Sequence, residues 1–301
     1  MGSHSFIKNT KNENIFVNIN GSLVKRKNAK ISVFDSGFLL GDGVWEGIRL
    51  HKSKLVFIDE HIERLFNSAK GISLEIGMKK NDLINEIHKV IKANDMEDQV
   101  HIRLIITRGD KITPYQNPNA NVGPINFVII PEHKKADPMI YKNGIAIGRV
   151  PIIRPSDNIL STHYNTLSKL NCILASIEAN KCGFDEGIMN DPNGNISTCN
   201  STNLFFINQG KVLTSKGKYC LNGITRGKVI EICNTNNIIC LEEDFTFDDI
   251  INCDEAFVTG TFAGIIPVSK IEEKLLQSTS YNSLTNKIRS LYNENISNHI
   301  N

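Results

Sequence analysis

Long apolar runs are missing from this chain of 301 residues. None approaches the roughly 20 residues that a bilayer-spanning helix needs. The opening stretch "MGSHSFIKNTKNEN" has no apolar centre, so it reads as a polar tail and not as a secretory leader. Excess charge is missing too. The net charge is +2 with no large basic block, which argues against capture of nucleic acid as the main activity. The seven cysteines are odd in number, and no two sit at C-x-x-C spacing, so neither a zinc knuckle nor a redox dithiol is signalled. Scattered beside apolar residues, they read as reduced thiols of a cytoplasmic protein. Tryptophan occurs once, at Trp45.

What is present is an ordinary globular composition, with 40% hydrophobic residues, on a chain long enough for two packed domains. "IFVNINGSLVKR" predicts a hairpin turning at Asn20-Gly21. "KLVFIDEHIERLFNSAKGI" predicts a strand and then a helix, capped by Asp59, with Ile62, Leu65, Phe66 and Ala69 as its buried stripe. A second helix follows at "NDLINEIHKVIKAN", then strands at "QVHIRLIITRG" and "GPINFVII", the latter read as buried on both faces. The polar stretch "PEHKKADP" is the linker candidate. The expected division is a small α/β domain over 1–131, a linker over 132–138 and a larger domain over 139–301. In the larger part a helix is expected over 165–181, then a strand meander and a closing helix at "SLTNKIRSLYNENI".

Two loop-to-helix or strand-to-loop entries suit an anion. "CLNGITRGKV" sets Gly223, Ile224 and Thr225 before a helix, where unpaired backbone N–H groups and the positive dipole end favour a phosphate. "VTGTFAG" sets Gly260 and Thr261 after a strand, where backbone can approach an anion closely. Arg64 would add a guanidinium fork. Each signal alone is weak: a Gly-Thr pair before a helix is more often a plain cap, and a lone arginine more often a solvated charge.

Together these stretches resemble the class IV aminotransferases, the pyridoxal-phosphate family of fold type IV. That family includes branched-chain and D-amino-acid aminotransferases and aminodeoxychorismate lyases. The resemblance runs from near Phe34 to near Val268. It rests on "FDSGFLLGDGVWEGIRLHKSKLVFIDEHIERLFNSAKGI", on "DEGIMNDPNGNIS…NSTNLFFINQGKVLT…LNGITRGKVIEIC" and on "DEAFVTGTFAGIIPV". It implies an α/β (α+β) fold of a small domain plus a larger barrel-like one, a homodimer, and pyridoxal 5'-phosphate in the cleft. Arg64, Ile224, Thr225, Gly260 and Thr261 would hold the phosphate.

Two positions depart from the family pattern. The family's Schiff-base lysine lies thirteen residues before the glutamate matched by Glu178, and Asn165 stands there. The family's Thr-Glu-Gly is "STC" here, so Thr198 replaces the glutamate that pairs with the pyridine nitrogen. A hydroxyl holds a ring proton less well than a carboxylate, which makes the ring a weaker electron sink. Lys169 lies one helical turn beyond Asn165, about 6 Å along the axis if both share a helix. Burial would lower its pKa and make it nucleophilic, the basis for reading it as a relocated Schiff-base lysine. The alternatives are a solvated or phosphate-facing lysine there, or a lysine replaced at 165.

Trp45 is expected to wall a substrate pocket or to fill core, and Arg49 and Arg103 to meet carboxylates. Arg108 reads as structural. "TRGDKITPYQ" lacks the Arg-x-His pair of the D-amino-acid enzymes, which counts against D-specificity. Tyr115 and Tyr164 are candidate ring-hydroxyl partners or packing. His163 is a candidate base or a strand-end histidine. The leading reading is amino-group transfer between an amino acid and a 2-oxo acid. A lyase, and a non-catalytic relative that keeps the anion cup, are the alternatives.

Overall fold

A computed structural model describes residues 2–300. The first part contains β1 (Phe6–Ile7), β2 (Phe16–Ile19), β3 (Ser22–Lys25), α1 (Ser36–Leu40), β4 (Gly43–His51), β5 (Lys54–Val56), α2 (Ile58–Gly71), α3 (Lys80–Ala93), β6 (Val100–Thr107), β7 (Asp110–Lys111), β8 (Asn121–Val122), β9 (Asn126–His133) and β10 (Lys135–Ala136). The second contains α4 (Met139–Asn143), β11 (Ile145–Arg149), α5 (Leu170–Lys181), β12 (Glu186–Asn190), β13 (Ile196–Cys199), β14 (Asn203–Asn208), β15 (Lys211–Ser215), α6 (Ile224–Thr235), β16 (Cys240–Glu243), α7 (Phe247–Ile251), β17 (Glu255–Gly260), β18 (Gly264–Ile271), β19 (Lys274–Leu275) and α8 (Leu284–Ile300). Among the described residues no helix is long and apolar enough to cross a membrane.

The first part is built on a six-stranded sheet in the order β3-β2-β9-β6-β4-β5. Its hairpin turns at Asn20 and Gly21, both at positive φ, as a two-residue turn between twisted strands requires. Strand alternation decides what each face carries. Val44, Ile48 and Leu50 of β4 and Ile102, Leu104 and Ile106 of β6 join a core closed by Ile62, Leu65 and Ala69 of α2 and Leu83, Ile87 and Val90 of α3. Each such leucine or isoleucine contributes about 1.5–3 kcal/mol on burial. The opposite face carries Trp45, Arg49, His101 and Arg103, all half-buried, and looks toward the second part. That part is a nine-stranded sheet, a half-barrel in the order β13-β12-β11-β18-β17-β14-β15-β16 with β19 beside β18. Helices α6 and α8 cover one side.

Four local expectations are corrected. The residue at the start of α2 is Phe57 in a left-handed conformation, and Asp59 lies inside the first turn, where its charge suits the dipole without capping. Strand β9 alternates buried and half-buried residues because one face looks into the cleft. The opening stretch is no loose tail: β1 pairs with β10, and the buried Ser3 hydroxyl donates to Glu186. Helix α5 begins only at Leu170, with Lys169 at its cap. The segment before it is held extended by β4, through Trp45 N–H to Asn165 O and Leu167 N–H to Gly43 O, so it cannot wind into the helix.

Candidate active site

Strand β4 and helix α2 supply the anchor of the cleft. Glu46 points inward at a position where alternation otherwise places aliphatic side chains, and it is fully buried. Arg64 grips it with two bonds, Nε to Oε1 and Nη2 to Oε2, both 2.7 Å, and His61 Nδ1 lies 2.7 Å from Oε2. Burial by itself would raise the Glu46 pKa. The charge of Arg64 and the hydrogen bonds from His61 and Arg64 outweigh it and hold the carboxyl below its usual 4.5. The fork of Arg64 is therefore turned to Glu46. Its remaining Nη1 donates to Asn222 O at 3.1 Å, which ties α2 to the turn before α6.

That turn suits an anion. Gly223 caps α6, among the described residues no side chain satisfies the first N–H groups, and Ile224 and Thr225 open the helix. A Cβ on Gly223 would come within 2.3 Å of Asn203 Oδ1, so a larger residue would have to displace that buried side chain. The buried Thr225 hydroxyl is 3.4 Å from that of Tyr292. Gly260 ends β17 and Thr261 follows it, both half-buried. A cavity of about 600 Å³ beside Arg64 is lined by Ser68, His163, Tyr164 and Asn222 among others.

Asn165 is locked. Its backbone N–H donates to Ser68 Oγ at 3.0 Å, and its side-chain amide donates to Trp45 O at 2.7 Å. Its Oδ1 is buried with no partner among the described residues, an acceptor left for a donor the chain does not supply. Asn165 and Lys169 therefore do not share a helix face, and the one-turn relation expected between them does not hold. Lys169 nevertheless reaches the cleft, its Nζ 5.8 Å from the centre of the Trp45 ring. Burial above all pulls its pKa down to about 8, and Arg154 and Arg64 add to this. Among the described residues no carboxylate pairs with it. Thr198 donates its hydroxyl proton to Thr202 O at 2.7 Å, and Thr202 in turn donates to the buried Glu186. Toward a ring nitrogen, Thr198 can then only accept.

Trp45 lies on the cleft face of the sheet, its indole N–H on Thr166 O, with the Arg103 guanidinium 3.8 Å over its ring. Arg49 stands beside His101 in register, nearer Tyr141 and Tyr292. Arg108 binds Asp42 through two nitrogens and the carbonyls of Ile72 and Ser73, a structural role. His163 lies 3.8 Å from Asp157, Tyr164 packs on Gly71, and Tyr115 is exposed.

The match to a family model decides the kinship: residues 43–271 fit that of the amino-transferases of class IV. The chain belongs to the class IV aminotransferase family. Class IV aminotransferases depend on pyridoxal 5'-phosphate. Within the family, the chain is 35% identical over 278 residues to branched-chain-amino-acid aminotransferase-like protein 2 of Arabidopsis thaliana, covering 91% of itself and 49% of that protein. It thus spans about half the length of that relative. It is 30% identical to a D-alanine aminotransferase of Listeria monocytogenes, over 92% of itself and 95% of the relative. Its fold superposes on the branched-chain aminotransferase of the archaeon Thermoproteus uzoniensis, solved with norvaline, at a TM-score of 0.85 and 26% identity, covering 95% of this chain and 96% of that one.

Glu46 escaped the sequence reading. A signal was present: an acid at an inward position of an alternating strand must find a cation, and His61 and Arg64 sit three apart on the next helix.

Proposed function

We propose that this chain is a pyridoxal-phosphate-dependent aminotransferase that moves an amino group between an amino acid and a 2-oxo acid, with Lys169 as its working amine. The observation that carries the reading is the amine of Lys169, unpaired among the described residues, depressed to about 8 and set over Trp45 in the cleft that holds Arg64. The open first turn of α6, Arg64 Nη1 and the Gly260–Thr261 turn suit the phosphate of such a cofactor, and the orphaned Asn165 Oδ1 suits a donor near its ring. When bound, the cofactor supplies an aldehyde that condenses with amines and a ring that draws electron density from the substrate. The chain's own residues do the rest. Ile224 and Thr225 would hold the phosphate, Trp45 would wall off water, and Lys169 Nζ in its neutral form would take and return a proton. Thr198 would orient the ring as an acceptor.

A second reading, a ligand-binding relative without turnover, draws on Asn165, whose amide is spent on β4 where the family's lysine is expected. One experiment separates the two. Purified protein titrated with pyridoxal phosphate is followed by visible absorbance, then assayed with amino donors and 2-oxo acids. Saturable absorbance with turnover supports the aminotransferase; saturable absorbance without turnover supports the binding relative; neither signal overturns both.

The working unit is proposed to be a homodimer. Leu170, Ile173, Leu174 and Ile177 of α5 form an apolar stripe at helical spacing, from 43% to 67% exposed in the single chain. Such a stripe on a surface helix requires a cover. Ile173→Asp with Leu174→Asp is expected to shift the mass measured by light scattering from dimer to monomer. An unchanged mass would place the contact elsewhere.

A further inference from the structure

We infer that Glu186 is a positioning residue of the cleft: together with Ser3 it fixes Thr202, and through Thr202 it sets which way the Thr198 hydroxyl faces. This deepens the proposed function and rests on its placing of the cofactor ring against Thr198. A threonine hydroxyl is a rotor that can donate or accept. At Thr198 the proton goes to Thr202 O at 2.7 Å, and that carbonyl also takes the Cys199 N–H at 3.0 Å. The lone pairs of Thr198 are what is left for a ring, and they favour a nitrogen that carries a proton. A shift of Thr202 would free the Thr198 proton, and the same hydroxyl would then favour a bare nitrogen.

Strand β12 holds the turn that carries Thr202. Gly187 N–H donates to Asn200 Oδ1 at 2.7 Å, and Asn200 N–H donates to Gly187 O at 3.1 Å. Next to Gly187, Glu186 takes the Ser201 hydroxyl at 2.9 Å and that of Thr202 at 2.7 Å. The Ser3 hydroxyl donates to the same carboxyl from the opening segment, which β1 anchors on β10. Burial pushes the Glu186 carboxyl above the usual 4.5, and the bonds from Ser3, Thr202 and Ser201 oppose this. Among the described residues no cation pairs with it. A fully buried acid that rests on neutral donors alone is costly unless each donor stays in place. The position of Thr202 is therefore required by Glu186 and is no incidental contact. The Thr202 methyl also stands 3.7 Å from where a Cβ on Gly260 would lie, so the same residue bounds the turn before Thr261.

The probes are pyridoxal phosphate and its analogue with C–H in place of the ring nitrogen. The affinity of each is measured by equilibrium dialysis, beside thermal unfolding of the protein without either. The unmodified chain is expected to bind pyridoxal phosphate about tenfold tighter than the analogue, the effect of one hydrogen bond. Glu186→Gln puts an amide donor where the carboxylate accepts, and Ser3→Ala removes the outermost donor. Each is expected to cut that ratio at least about threefold, and Thr198→Val to abolish it. If Glu186→Gln does not fold, Ser3→Ala decides. A lowered unfolding temperature with an unmoved ratio would mean that Glu186 only stabilises the fold, and overturns the inference. A ratio near one in the unmodified chain overturns it too. Failure of both compounds to bind refutes the proposed function and this inference with it. Binding of both, with a ratio that neither Glu186→Gln nor Ser3→Ala moves, refutes this inference alone.

Discussion

Lys169→Met is expected to leave a folded protein that no longer retains pyridoxal phosphate after borohydride treatment and dialysis. In the unmodified chain the same treatment is expected to fix the cofactor on the peptide that carries Lys169, read by mass spectrometry. Turnover should fall by about 10²–10⁴-fold, the range that a positioned proton-transfer group supplies. The pH dependence follows from burial, which depresses the Lys169 ammonium to about 8. Only the neutral amine attacks a carbonyl or accepts a proton, so the labelling rate should rise with pH through about 8 and level off above it. An unburied lysine would keep rising toward its ordinary 10.5. Lys169→Arg keeps charge and bulk but has no amine to offer, and is expected to behave like Lys169→Met. Label recovered on another lysine, or turnover that survives both substitutions, would sink the assignment.

The second large effect is expected at Glu46, whose role is in the fold of the cleft. Glu46→Leu leaves the Arg64 fork and His61 facing an apolar group, and stability should drop by about 3–5 kcal/mol, the cost of leaving one partner of a buried pair alone. Thermal unfolding should shift down by roughly 10 °C for a chain of this size. Glu46→Gln, which keeps shape and part of the hydrogen bonding, should lie between. The sign of the pH effect is fixed by the depressed carboxyl. Its contribution is complete above the ordinary carboxylate range and is lost as pH falls through the lower folded-state value. The difference in stability between the unmodified chain and Glu46→Gln should therefore shrink on acidification below 4.5. A difference independent of pH would mean that the Glu46 charge contributes nothing.

Both effects depend on partners that are distant in sequence, which local spacing does not record. The hairpin at Asn20-Gly21, the two amphipathic helices, the glycine turn before α6 and the break at Gly260 were legible, because each is decided by residues within a turn or two of one another. The start of α5 departs from its local pattern because β4, some 120 positions earlier, claims the backbone of Asn165 and Leu167 before the helix can. Asp59 has the residue type of a cap, but the chain enters α2 through Phe57 in a left-handed turn.

The sequence by itself determined the family, the alternation that gives β4 and β6 one apolar and one polar face, and the turns at Gly223 and Gly260. Local spacing sets which way a side chain faces, and that needs no knowledge of the partner. Only the tertiary structure decided that Arg64 spends its fork on Glu46, that Asn165 is bound to β4, and that Lys169 reaches Trp45. Those pairings depend on which surfaces meet and how much water they exclude. A charge takes its pKa and its partner from that encounter, and the residues beside it in the chain do not record it.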